Sequence, residues 1–140
     1  MSALPLHQPV LKLASRTVPP ALRAFFAQAG LAEPPSSVCD LHFDTDRQPG
    51  CVKTLLAFTA GRADLNLFLL LSPALQRAVP ARIEEDPVAA AAMRPEPDFP
   101  WWDPPAQGPA RRFAYDTDAL DFVEVILDDL TGTVFIRAIG

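Results

Sequence analysis

Two cysteines in 140 residues are too few for a disulfide framework. The N-terminal segment lacks the cationic and apolar regions of a secretion signal. The longest apolar run, residues 65–71, is interrupted by Asn66 and is far too short to span a bilayer. We therefore expect a cytoplasmic protein that does not bind membranes.

Positive charge is scarce as well. Twelve Lys and Arg residues against 17 Asp and Glu residues give a formal net charge of −5. Nucleic acids and anionic membranes are bound largely through Lys and Arg contacts to phosphate, so this balance argues against both. It leaves room for a basic protein partner. With only six glycines, the chain also has no glycine-rich loop of the kind that holds a phosphate.

The residues of nucleophilic catalysis are poorly represented. The only histidines are His7 and His42, and a nucleophile–base pair needs a Ser, Thr or Cys within hydrogen-bond reach of such a base. Alternation along residues 38–44 sends Cys39 inward with Leu41 and sends His42 outward. The sequence therefore indicates no catalytic residue and no cofactor.

Acidic residues near the C-terminus are the remaining candidates for acid–base catalysis. They are Asp116, Asp118, Asp121, Glu124, Asp128 and Asp129. Most fall in predicted turns, where Asp side chains bond to the local backbone. Catalysis would need one of them buried with a raised pKa, and nothing in the sequence indicates this. Alternatively, they form a negative rim at one end of the sheet that attracts a basic partner.

Apolar content, by contrast, is ample. At 49% hydrophobic residues over 140 positions, we expect a single domain with a substantial core. Clusters of β-branched and aromatic residues bounded by turn residues predict five strands. These are residues 38–44, 51–59, 111–116, 121–128 and 133–139. The last three form an antiparallel meander, with Gly132 in the positive-φ position of its second turn.

Two helices are predicted. The first covers residues 19–29, because two prolines suit its opening positions and apolar residues recur at i, i+3, i+4 and i+7 from Leu22. The second covers residues 63–71. Leucines at every second position there also fit a strand, but the absence of β-branched residues favours a helix, which ends before Pro73. Residues 73–79 are compatible with one or two further helical turns.

The predicted fold is α+β, a mainly antiparallel sheet of about five strands with both helices packed on one face. Residues 1–18 form either an edge strand or a loosely attached N-terminal arm. Residues 80–110 form a long connection rich in Pro and Ala, weakly helical over 87–93. Strand 133–139 is apolar on both faces and must be covered on both sides, and a homodimer is one way to cover it.

The first hairpin is expected to turn over residues 46–50. With Phe43 opposite Cys51, Cys39 would lie near Leu55. In that register the two cysteines are too far apart to form a disulfide.

Residues 95–105, here called the strap, carry the most distinctive side chains. The tryptophans Trp101 and Trp102 are flanked by Phe99 and Asp103. Because prolines stiffen the strap, exposed indoles would bind a partner with little loss of entropy. Alternatively, both indoles pack onto the sheet and cover the core, since so much apolar surface is rarely left exposed. We favour packing and keep these four residues as a candidate binding surface.

Asp40, His42 and Asp44 share the outer face of their strand and are weak candidates for metal ligands. Neighbouring side chains on one strand cannot surround an ion without ligands from elsewhere. A solvated polar face is therefore the preferred interpretation, and no metal site is expected.

These observations favour a small non-enzymatic protein-binding module. It would be of the inhibitor or immunity type and would meet a basic partner through an acidic, tryptophan-centred surface. The alternative is a small-ligand-binding protein or minor enzyme. Its pocket would lie between the sheet and the helices, lined by His42 or the tryptophans.

Overall fold

The structure of the protein, a computed structural model, describes residues 8–11, 19–105 and 107–140, and for 8–11 the backbone alone. Its elements in chain order are β1 (Gln8–Leu11), α1 (Pro20–Gln28), β2 (Cys39–Gln48), β3 (Cys51–Thr59), α2 (Arg62–Leu71), α3 (Pro73–Arg77), β4 (Ala81–Arg82), α4 (Pro87–Ala92), β5 (Ala110–Tyr115), β6 (Phe122–Asp128) and β7 (Thr133–Ile139).

One antiparallel sheet contains every strand of the described residues. Its order is β1-β2-β3-β7-β6-β5-β4, and β4 has only two residues. The fold is thus a mixture of helices and an antiparallel sheet, as predicted, but about five strands was an underestimate. The five predicted strands are all present. The sheet gains β4 from the long connection and β1 from the N-terminal region, where residues 8–11 pair with β2 as an edge strand.

Both predicted helices are confirmed, and they cover the same face of the sheet. Three phenylalanine rings pack where α1, β3 and α2 meet. The centroid of the Phe58 ring lies 6.3 Å from that of Phe26 and 5.6 Å from that of Phe68. Leu75 of α3 belongs to the same apolar cluster. We call this side the helix-covered face. Within the part of the chain that is described, no helix is long and apolar enough to cross a bilayer.

The predicted register of the first hairpin is wrong. Strand β2 continues to Gln48, which lies opposite Cys51, and Phe43 lies opposite Leu56. The polar run before the turn was assigned to a loop on composition, yet a strand continues through polar residues where it faces solvent. Gly50, with a φ of 82°, completes a two-residue Pro-Gly turn of type II.

A bulge near the start of β2 breaks the predicted alternation. Pairing shifts between Cys39 and His42, and Asp40 adopts a φ of 52°. Asp adopts this left-handed backbone conformation more readily than most residues. A bulge of this kind changes the direction in which the neighbouring side chains point. Cys39 is consequently exposed rather than buried beside Leu41. Both cysteines are free thiols, and Cys39 pairs with Thr59 at the far end of the hairpin from Cys51.

The C-terminal meander forms the centre of the sheet with β3. Gly132 has the predicted positive φ, 74°, and a Cβ there would lie 2.7 Å from the carbonyl oxygen of Ala60. In β7, Ile136 packs in the cluster under the helices, whereas Phe135 packs on the opposite face. Because the chain's own segments cover β7 on both sides, this strand gives no reason for a second subunit.

Candidate functional site

The strap lies across the second face of the sheet, here called the strap-covered face. Phe99 and Trp102 are buried, with exposed fractions of 4% and 6%, and join an apolar cluster with Phe135 and Ile126. The indole of Trp102 meets the Phe135 ring edge-on, with centroids 5.6 Å apart. Of the two interpretations of these indoles, packing onto the sheet therefore describes Trp102.

Beside this cluster runs a chain of alternating charges. Lys53 of β3 contacts Glu96 of the strap at 2.7 Å, and the other oxygen of Glu96 accepts from Arg137 of β7 at 2.9 Å. Arg137 also donates to Glu124 of β6 at 2.6 Å, and Glu124 accepts from Arg112 of β5 at 2.5 Å. Every carboxylate oxygen of this ion network is thereby paired, which is the condition under which buried charges are tolerated.

Arg137 connects the network to the backbone just before the strap and to an aromatic residue of the strap. It donates to the carbonyl oxygen of Arg94 at 3.1 Å, and its guanidinium lies 5.6 Å from the centre of the Trp102 ring. Its exposed fraction is 5%. The strap is therefore held by charge-assisted hydrogen bonds and a cation–π contact as well as by apolar packing.

Glu124 falls within predicted strand 121–128, but a buried carboxylate was not predicted there, and the structure corrects this. It lies within β6 and is fully buried. The sequence contained a signal for it, since period-2 alternation puts Glu124 on the same face as Ile126. A charge within an apolar strand face needs a partner. Both of its oxygens are engaged by arginines, so Glu124 has a structural role.

Of the acidic residues of the last turn, Asp128 bonds to the local backbone, as expected, whereas Asp129 pairs with an arginine of β5. Asp128 accepts hydrogen bonds from the backbone N–H groups of Leu130 and Thr131. Asp129 forms a two-point ion pair with Arg111, at 2.7 and 3.2 Å.

Trp101 differs from the other aromatic residues of the strap because it is only partly buried. Its ring stacks on the imidazole of His42, with centroids 5.0 Å apart and planes 12° from parallel. Phe99 and Trp102 approach it edge-on at 6.0 and 6.5 Å. His42 and Trp101 were both candidates from sequence, but no sequence pattern indicates that they stack on each other. One side of the Trp101 indole is thus fixed by neighbours while part of it remains open to solvent.

Asp98 and Asp103 are the acidic residues of the strap nearest to Trp101 in sequence, and both are exposed. We define the Trp101 surface as Trp101, His42, Asp98 and Asp103. Of the four residues that the sequence singled out, Trp101 and Asp103 belong to this surface, whereas Phe99 and Trp102 lie beneath it.

The three weak metal-ligand candidates do not form a common site. Asp40 sits in the bulge and is exposed, His42 is stacked on Trp101, and Asp44 is buried with one oxygen accepting from the Thr45 N–H at 2.9 Å. Across the described ranges, no group of three or more His, Cys, Asp or Glu side chains is placed to hold a metal ion. His7 lies outside those ranges.

Comparison with known proteins gives no relative from which a role could be transferred. No protein-family model, no curated protein and no solved structure matches the chain.

Proposed function

We propose that this protein is a non-enzymatic protein-binding module, of the inhibitor or immunity type, that contacts a basic partner through the Trp101 surface. One observation carries the proposal: Trp101 is fixed by the stacked His42 and two edge-on rings, yet is only partly buried. Tryptophan, with Tyr and Arg, is enriched among the side chains that contribute most of the binding energy of protein interfaces.

The strap is already ordered around Trp101, so binding a partner there would cost little conformational entropy. Prolines at positions 95, 97, 100, 104 and 105 restrict the backbone. Glu96 fixes one end of the strap through Lys53 and Arg137. A partner would therefore bind a surface that is already ordered, so little of the interaction energy is spent on ordering it.

The charge of the surface suits a basic partner. Asp98 and Asp103 are exposed on either side of Trp101 along the strap, and the whole chain carries a net charge of −5. A Lys or Arg side chain placed over the open part of the indole would gain a cation–π contact. The surrounding carboxylates would accelerate its association.

The proposal assigns no catalytic role and needs no cofactor. Glu124, a buried carboxylate of the strap-covered face, has both oxygens held by arginines. Cys39 and Cys51 are free thiols, which suits a reducing compartment. We therefore propose the cytoplasm as the compartment in which the module acts.

The alternative, ligand binding between the sheet and the helices, is supported by a cleft. A cleft of about 310 Å³ opens at the end of that layer, lined by residues that include Gly61, Asn66 and Arg111. The layer itself is packed with phenylalanine rings. Because Arg111 is already paired with Asp129, we place this function second.

The proposal is tested by affinity capture from an extract of the native host. We expect wild-type protein to retain a basic protein that is released by high salt. W101A should weaken binding by about 10-fold or more, since truncation at a hot spot costs about 2 kcal/mol. The pair D98N/D103N should weaken it less and reduce its salt dependence.

The matched control is V88A, which truncates a side chain of α4 that is 78% exposed and lies outside the strap. Circular dichroism checks that each variant is folded. Equal recovery of every captured protein by W101A and V88A would overturn the proposal.

A further inference from the structure

The strap leaves one end of the strap-covered face only partly covered. At this end Phe122 of β6 pairs with Ile139 of β7, and Ile139 pairs with Lys53 of β3. Residues that pair directly across an antiparallel sheet point to the same side. Ile139 lies two positions after Arg137, so this row points to the strap-covered face. All three side chains are partly buried, and they line an open cleft of about 400 Å³, here called the Lys53 cleft.

The walls of the Lys53 cleft come from the segment that joins α4 to the strap. They include Ala92, Arg94, Pro95 and Glu96, and Arg137 lines the cleft from β7. Half of the lining residues are therefore apolar and half are charged. Small-molecule sites have volumes of roughly 300–1,000 Å³ and combine apolar walls with a few polar groups. The Lys53 cleft has both properties.

The charged residues at this cleft carry more positive than negative charge. The ion network consists of three cations and two carboxylates, namely Lys53, Arg112, Arg137, Glu96 and Glu124. All four carboxylate oxygens are already paired within the network, so one cation is left unbalanced. Arg94 adds a further cation, and it forms no ion pair with a carboxylate of the described residues. A cleft with an excess of one sign of charge attracts ions of the other sign.

Two of these cations have hydrogen-bond donors to spare. The ammonium group of Lys53 has three N–H donors, and among the described residues its bonding partner is Glu96 alone. The side chain of Arg94 is exposed, and its hydrogen bond to the carbonyl oxygen of Ala91 is long, at 3.4 Å. Its backbone carbonyl is held by Arg137. The guanidinium of Arg94 can therefore turn toward an anion without breaking the ion network.

We propose that the Lys53 cleft binds a small organic carboxylate with an apolar body. The carboxylate accepts charge-assisted hydrogen bonds from Lys53 and Arg94, and the apolar body lies on Phe122 and Ile139. An inorganic anion would balance the charge but leave the apolar floor exposed to water. A neutral apolar molecule would cover the floor but leave the cations unbalanced. The combination of cations and apolar floor therefore favours a ligand that carries both groups.

The Lys53 cleft is separate from the two sites considered under the proposed function. It shares no residue with the Trp101 surface, and no lining residue with the cleft that contains Gly61, Asn66 and Arg111. The ligand it selects is also of opposite charge to the proposed basic partner. The inference does not rest on the proposed function, and either can fail alone.

The inference is tested by titrating the isotope-labelled full chain with 3-phenylpropanoate at low salt and following the backbone amide resonances. We expect saturable binding with a Kd of about 1 mM or lower. The largest shifts should occur at Lys53, Ile139 and residues 94–96. Absence of saturable binding would overturn the inference, as would shifts centred on Arg62 and Arg111 of the other cleft.

Two analogues separate the contributions of charge and apolar body. 3-Phenylpropanamide keeps the body and lacks the charge, whereas acetate keeps the carboxylate and lacks the body. Each should bind at least about 10-fold more weakly than 3-phenylpropanoate. Equal binding of either analogue would overturn the inference, because the cleft would then recognise only one of the two groups.

The variant R94M tests the cation that is unpaired in the structure. Because this side chain is exposed, we expect the variant to fold, which circular dichroism checks, and to bind 3-phenylpropanoate about 10-fold more weakly. The matched control is R62M, which removes an exposed arginine that lines the other cleft and should leave the affinity unchanged. Equal affinities of R94M and R62M would overturn the inference.

Discussion

The two faces of the sheet are covered in different ways. On the helix-covered face, α1, α2 and α3 bury an apolar cluster that includes the rings of Phe26, Phe58 and Phe68. On the strap-covered face, a smaller apolar cluster lies beside a five-membered ion network that ties Glu96 of the strap to β3 and β7. One face is closed by regular helices and the other by an irregular segment.

The difference follows from how the segment that covers each face forms the hydrogen bonds of its own backbone. A helix pairs its N–H and C=O groups internally, so an apolar stripe is sufficient to attach it to a sheet. The strap has few internal bonds; two of them run from the N–H of Phe99 to Glu96 and from the N–H of Trp102 to Phe99. Side-chain anchors must therefore determine where it lies, and Arg137 provides several of them at once.

The largest effect is expected on the helix-covered face. Phe26 is fully buried, and F26A should lower the free energy of unfolding by about 4 kcal/mol, because it leaves a cavity among packed rings. Denaturant unfolding measures this. V79A, at a side chain that is 89% exposed, should change stability by less than about 0.5 kcal/mol. A small effect of F26A would show that this face is not the main core.

The second largest effect is expected from the ion network. R137M leaves Glu96 and Glu124 without their shared partner, so it should cost about 3 kcal/mol in unfolding free energy. R47M, at an exposed position of β2, is the matched control. Equal stability of R137M and R47M would show that apolar packing alone holds the strap.

The double variant E96Q/R137M tests whether Glu96 and Arg137 are energetically coupled. Removing both members of a buried pair leaves less uncompensated charge than removing Arg137 alone. The cost of the double variant should therefore fall short of the sum of the two single costs by about 1 kcal/mol or more. Additive costs would mean that Glu96 and Arg137 act independently, and the strap would then have no ionic anchor at this point.

Tyr115 gives a smaller effect on the helix-covered side. Its hydroxyl donates to the carbonyl oxygen of Ala29 at 2.7 Å, and Y115F should lower the free energy of unfolding by about 1 kcal/mol.

Burial raises the pKa of Tyr115 above its ordinary value of 10, with Arg77 opposing this in part. The unfolded chain therefore loses the phenolic proton first. Stability from this group is present below pH 10 and is lost as the pH rises above it.

Tyr115 is the only tyrosine, so an ultraviolet absorbance titration reports it alone. We expect the folded protein to titrate at a higher pH than the chain in denaturant. Identical titration in both states would contradict burial of the phenol.

The helix-covered face was largely predictable from sequence, whereas on the strap-covered face only the packing of the strap onto the sheet was expected, and Trp102 and Phe99 are indeed buried there. Periodicity gives the stripe of α1 from Leu22 onward, and β-branched clusters give the strands. The first hairpin was misregistered because composition does not distinguish a polar strand end from a loop. Direct contacts of the ion network join residues up to 43 positions apart, and they form only because the strands pair and the strap lies across them. Local pattern thus predicted Trp101 as a candidate but not its stacking on His42.

The central feature of the molecule is that the strap buries Trp102 and leaves Trp101 partly open to solvent. Fluorescence quenching of the single-tryptophan variants W101F and W102F measures this directly. Trp102, alone in W101F, should emit at short wavelength and resist a neutral quencher. Trp101, alone in W102F, should be quenched readily. Equal accessibility of the two indoles would contradict this arrangement.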